Sequence, residues 1–258
     1  MSALSSRILG IGTIVLVLML WQVAPTAGLV DPRLIPPFSA VLRRFAGEWI
    51  ERPFYADLGA TLLRVGLGFG LAAFIGIPLG LAMGHWRPVD RALALTINVF
   101  RPVPATAFVP IALIVFGIGH EMHILVVFIA AIIPILLASL DGARAVDPVL
   151  VDTAFTLGQR GMEVARRVIL PAALPHIVTG IRVGIAQALI VAVSSEMVLS
   201  SNGLGHRVLY AQRLMDIAGL YAGVLTLAVV GFAFNQIFVA VEGVIVGWDR
   251  RAKAKAWN

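Results

Sequence analysis

The chain has 258 residues, 59% of them apolar and only 13% charged, against a usual charged share of roughly a quarter. Mean hydropathy is +0.94. Thirty-four charged residues (20 basic, 14 acidic) cannot give this much apolar surface a polar shell, so a soluble domain is excluded, and disorder is excluded because it needs low hydrophobicity. Cysteine is absent, which removes disulfides, thiolate metal sites and Cys nucleophiles. The net charge of +6 comes from 18 Arg and 2 Lys, and Lys253 and Lys255 both lie in the last six residues. Neither follows a glycine-rich phosphate loop, so this chain alone is not a P-loop ATPase. In so apolar a chain the basic excess reads first as membrane orientation, not as nucleic-acid binding.

The apolar residues fall in blocks near the 20 that cross a bilayer, which predicts an all-α, polytopic membrane protein. The first span runs from about Ile8 to Ala24. A signal peptide competes for this segment, but the apolar run exceeds the usual 7–15 residues, so a retained anchor is expected. A Pro-rich loop covers Asp31 to Pro37. Residues 38–50 then place Phe38, Val41, Leu42, Phe45 and Trp49 at helical spacing, with Arg43, Arg44 and Glu48 elsewhere. That pattern predicts a short amphipathic helix at the interface.

The second span is expected over Leu62 to Gly84, rich in glycines that allow close helix approach. A third reaches from about Leu93 to Gly119, interrupted by Pro102, Pro104 and Pro110. The fourth covers Ile124 to Leu140, the fifth Ala172 to Val198, and the sixth Ile217 to Val246. Six spans put the termini on one side. With the termini cytoplasmic, inside segments hold twelve Arg and Lys and outside segments six, so both termini are expected in the cytoplasm.

The stretch VDPVLVDTAFTLGQRGMEVARRVILPAALP, between spans four and five, is too long and too patterned for a plain connector. Asp147 suits a helix N-cap and Pro148 the first helical position. Val151, Ala154 and Phe155 follow at helical spacing, and Gly158 stands where a left-handed cap ends a helix. A second helix from about Gly161 carries Val164, Ala165 and Val168, with Arg166 and Arg167 beside them. Pro171 and Pro175 then lead into span five. The residues alone leave two readings open: an amphipathic loop packed on its own bundle, or a docking element for a cytoplasmic partner.

This segment resembles the EAA loop of ABC-importer permeases. Asp152, Thr153 and Ala154 stand at the E-A-A positions, Gly158 at the glycine, and Ile169-Leu170-Pro171 at the ending; Asp for Glu and Thr for Ala depart from the pattern. GFGLAAFIGIPLGLAMG, RPVPATAFVPIALIVFGIG (Arg101 to Gly119) and SSEMVLSSNGLG (Ser194 to Gly205) are similar to permeases for nitrate, sulfonate, taurine and related small anions. The likeness covers about residues 36–250.

The resemblance implies a type I ABC importer permease (MetI-like) fold, with no bond chemistry in this chain. It implies ATP and Mg bound by a cytoplasmic ATPase dimer, a second permease copy (a homodimer), and an extracytoplasmic substrate-binding protein. The location implied is the bacterial inner membrane. Asp152, Thr153, Ala154, Phe155, Leu157, Gly158, Arg160 and Met162 are the implied contacts to the ATPase. The expected organisation is an N-terminal transmembrane helix (1–30) and an external loop with the amphipathic helix (31–57). A five-helix permease core (58–248) follows, with its coupling loop at 147–171, and then a basic cytoplasmic tail (249–258).

Charges within spans are costly and often functional. Arg101 opens RPVP, where prolines free backbone carbonyls. It either offers a station to an anion in transit or binds those carbonyls. Glu196 ends span five before a Ser/Asn/Gly run, and a cap or an ion pair to the outer loop is its expected role. Gln187, Ser194, Ser195, Glu196 and Met197 share span five and are candidates to line a central path with Arg101. His120 and His123 have no third ligand nearby and read as an outer turn. No catalytic, metal or cofactor-binding residue is expected. The competing classes are an integral-membrane enzyme, which needs clustered acids or metal ligands, and a secondary transporter, which would usually carry inverted repeats; neither signature is found.

Overall fold

The computed structural model describes residues 3–245, and every element among them is helical. The basic tail expected at 249–258 lies outside the described residues. In chain order the helices are α1 (Ala3–Thr26), α2 (Phe38–Glu48), α3 (Arg52–His85), α4 (Arg87–Phe100), α5 (Val109–Phe116), α6 (His120–Arg144), α7 (Pro148–Thr156), α8 (Met162–Val164), α9 (Leu170–Leu199), α10 (Leu204–Arg213) and α11 (Ile217–Ile245). Among the described residues, five stretches are long and apolar enough to cross a membrane: α1, α3, α6, the run Met162–Leu199, and α11.

The sixth crossing is broken. Helices α4 and α5, with a 3-10 turn at Ala105–Phe108 between them, meet at 89°. Neither piece spans alone. The prolines explain the break, because Pro102 and Pro104 lack the N–H that would carry the ladder on. Contacts fix the direction: Ile97 of α4 packs with Met83, Leu136 and Leu140, whereas Val109 and Ala112 of α5 pack with Met122 and Val126. The chain therefore passes from the C-terminal end of α6 to its N-terminal end. Counted as one bent span, this pair brings the candidate crossings among the described residues to six.

The centre is α3 against α6 and α6 against α9. Val65, Ala72, Val127, Ala131, Ile135, Ala188 and Ala192 form one buried cluster across the three helices. Small residues permit this spacing, as expected of membrane helices. At Gly68, a Cβ would lie 2.7 Å from the Val127 Cγ1 and 2.8 Å from the Ile124 carbonyl, so only glycine fits there. Helix α3 extends ten residues before the expected start at Leu62, and α1 stands apart from the core. It is tied towards its C-terminal end by Trp21, which packs on the rings of Phe38 and Tyr221 and donates to the Pro36 carbonyl at 3.1 Å.

Two expectations change. The second helix expected from about Gly161 does not stand apart from span five. It runs through a π turn at Ala165–Ile169 directly into α9. The wider turn gives Pro171 room, since a proline ring clashes with the carbonyl four residues back in a tight α-turn. The loop between α9 and α11 holds a further helix, α10, whose ten residues are too few and too polar to read as a span.

Candidate functional site

The stretch 147–171 folds as its capping residues dictate. Asp147 Oδ1 accepts from the Val149 N–H at 2.9 Å, and Pro148 takes the first helical position. Helix α7 ends where Gly158 adopts φ +85°, a left-handed conformation that costs any side chain strain. Gly161 turns the chain again at φ +52° before α8.

Ala154 is buried with Ala143, Val146, Val164 and Ile169. It therefore faces the chain's own bundle and cannot touch a partner; it anchors α7. The other residues of the expected docking set, Asp152, Thr153, Phe155, Leu157, Gly158, Arg160 and Met162, are exposed. Leu157 is 75% exposed and Met162 68%, so the loop presents apolar side chains beyond the membrane spans. Arg160 makes no ion pair among the described residues.

The expected path residues separate into two groups. Arg101 and Gln187 line one cavity of about 670 Å³ at the break between α4 and the 3-10 turn, together with Thr96, Pro102, Pro104 and Pro134. Both side chains are exposed to it, and Arg101 has no acidic partner among the described residues. Gln187 lies one turn from Ile190 and two from Ser194 on the open face of α9. Ser194 Oγ donates to the Ile190 carbonyl at 2.8 Å, and Met197 is half-buried on the same side.

Ser195 and Glu196 point the other way, fully buried within the bundle. They do not line a path, because the 100° step between consecutive helix residues carries them to the inner face. Ser195 Oγ lies 2.9 Å from His123 Nδ1. His120 and His123 begin the spanning helix α6 instead of forming an outer turn. Glu196 is the hub of a buried polar cluster. It pairs with Arg64 Nη1 at 2.7 Å and accepts from Thr61 Oγ1 at 2.9 Å and from the Gly205 N–H at 3.0 Å. Arg64 continues to Asn202, through Nη2 to Oδ1 at 2.5 Å and through Nη1 to the carbonyl at 3.1 Å. This cluster ties α3, the end of α9 and the loop before α10 together. The sequence carried its signal: Arg64 and Glu196 are opposite charges near span ends, and intramembrane charges pair.

A second charge lattice caps the end of the bundle opposite α7. Arg207 of α10 meets Glu51 at 2.7 Å, Asp57 at 3.6 Å and Glu48 at 3.8 Å, and Arg44 bridges Glu51 and Asp216. The Arg207 hydrogen bond holds the Glu51 carboxyl below its ordinary value, while burial pushes Glu48 up.

The model of one family, the binding-protein-dependent transport system inner membrane component, matches residues 76–246. The chain belongs to this family. It is a permease subunit, and the match contains the broken crossing, the α7 loop and α9. The chain is 32% identical to the taurine transport system permease protein TauC of Escherichia coli, over 93% of this chain and 89% of that one. It is 31% identical to the bicarbonate transport system permease protein CmpB of Synechococcus elongatus, over 86% and 83%. A putative ABC transporter permease of Methanocaldococcus jannaschii is 33% identical over 86% and 85%. The fold matches an inward-facing structure of the MetNI methionine ABC transporter with TM-score 0.67, at 17% identity, over 76% of this chain and 99% of that one. The permease is thus a multi-pass membrane protein of the type I importer fold.

Proposed function

We propose that this permease, paired with a second copy, forms the path of an ATP-driven importer for a small organic or inorganic anion. The observation that carries the coupling is the α7 loop: Phe155, Leu157 and Met162 are exposed around the left-handed Gly158, while Ala154 fixes the helix to the bundle. Exposed apolar side chains on a rigid capped helix suit the groove of a partner. In this reading the α7 side is cytoplasmic, as are both termini. The partner is an ATPase dimer that binds ATP and Mg, and a substrate-binding protein meets the opposite face. Closure of the two ATPase subunits would draw the α7 helices together and turn the path outward.

The anion reading is supported by Arg101, a cation without an acidic partner among the described residues that lines a cavity beside a broken helix, and by relatives named for taurine and bicarbonate. Freed backbone at membrane depth is tolerated where it lines a cavity. The coupling test is Gly158→Glu. The spans should still insert, and the ATPase should no longer copurify, or should hydrolyse ATP without uptake. Parental assembly and uptake would exclude α7 as the coupling site.

A further inference from the structure

A second cavity, of about 330 Å³, lies between the α7-side end of α3 and the run Met162–Leu170. Pro78, Leu81, Ala165 and Ile169 wall it, and Trp86 and Arg166 stand at its rim. Its lining includes two small residues, Ala82 and Ala165, and the π turn contributes Ala165, Arg166 and Ile169 to it. Its volume is at the low end of the ligand-pocket range of about 300–1,000 Å³.

Depth, lining and charge select the occupant. Ile77 and Pro78 lie seven to eight residues before His85, the last residue of α3, which at 1.5 Å per residue is about 10–12 Å below the helix end. The floor thus belongs to the apolar stretch of α3 that is long enough to cross a membrane. Trp86 marks the boundary, where aromatic side chains sit at headgroup level. Arg166 at the rim and Arg87, next in sequence to Trp86, are exposed and make no ion pair or side-chain hydrogen bond among the described residues. An apolar slot with unpaired cations at its mouth, opening at the membrane boundary, has the complementarity of an anionic phospholipid.

We propose that this cavity binds an anionic phospholipid, with one acyl chain between α3 and the π turn and its phosphate on Arg166. The lipid packs against the turn that joins the α7 loop to α9. It therefore sets how firmly that loop is held to the bundle. The binding itself does not depend on what α7 docks; only its effect on transport rests on the coupling reading.

The test reconstitutes the permease in vesicles of equal phosphatidylglycerol and phosphatidylcholine, extracts it in mild detergent, and weighs retained phospholipid by mass spectrometry. One Arg at an anionic surface predicts about fivefold enrichment of phosphatidylglycerol. Arg166→Gln should bring the ratio near one, and Arg166→Lys should keep it. Ala165→Leu or Ala82→Leu, which fill the slot, should release the lipid of both headgroups, with size-exclusion profiles matched to the parent. Inorganic phosphate should not displace the lipid. No headgroup preference in the parent, or a preference that survives Arg166→Gln, overturns the proposal. Copurified ATPase is scored in parallel, so loss of docking with lipid retained counts against the coupling reading alone.

Discussion

Removal of Arg64 tests the buried cluster that joins α3 to the end of α9. The Arg64 side chain is 3% exposed and that of Glu196 0%. In Arg64→Ala the Glu196 carboxylate keeps Thr61 and the Gly205 N–H but loses the cation at 2.7 Å. Breaking a buried pair by removing one partner costs about 3–5 kcal/mol. At about 2–4 °C per kcal/mol for a chain near this size, the thermal midpoint should fall by roughly 6–20 °C. Glu196→Gln keeps the shape and one acceptor, so it should cost less. Arg64→Met combined with Glu196→Met removes both charges, and its loss should be smaller than the sum of the single losses, because the pair is coupled. The assay is thermal unfolding of detergent-solubilised permease followed by size-exclusion fluorescence. An Arg64→Ala midpoint within about 2 °C of the parent, or additive losses, would refute the claim that the pair locks α3 to α9.

Arg101→Ala should lower uptake more than folded yield, with Arg101→Lys restoring part, since Lys keeps the charge without the planar fork; equal losses of yield and uptake would make Arg101 structural. Gly68→Leu overpacks the α3–α6 contact and should cost at least about 1–3 kcal/mol, read as lost folded yield. Ala154→Arg forces a cation into the cluster of Val146, Val164 and Ile169 and should detach α7, seen as rapid proteolysis within 147–161 where the parent resists. Glu51 sits below its ordinary 4.5 through Arg207, so its contribution is complete above pH 4.5 and lost as pH falls through its folded value. Glu51→Gln should flatten that part of the acid unfolding curve.

The crossings were legible because apolar blocks of the right length have few alternatives in a chain this poor in charge. The cap at Asp147 and the turn at Gly158 were legible for a local reason: both depend on neighbours within a few residues. The facing of Ala154 was not, since helical spacing places a residue on a stripe without saying which side of α7 the bundle covers. Sequence adjacency groups Ser195 and Glu196 with Ser194 and Met197; only the packing of α3 and α6 on α9 separates the faces. The Arg64–Glu196 pair spans 132 residues of sequence, and its partners could be matched by charge but not by register. The continuity of α8 with α9 escaped because Pro171 reads as a break unless a π turn absorbs it. The second charge lattice escaped because α10 is short and polar, and Arg207 finds its three carboxylates only once α2 and α3 are packed.

The most direct test of the coupling claim is cross-linking from α7 in native membranes. The parent has no cysteine, so Leu157→Cys and Ala154→Cys each introduce one thiol without further changes. Leu157→Cys, on the exposed tip, should cross-link to the ATPase subunit, and ATP should alter the yield; Ala154→Cys, turned into the bundle, should not. Cross-linking from position 154 but not 157, or from neither while uptake persists, would contradict the account.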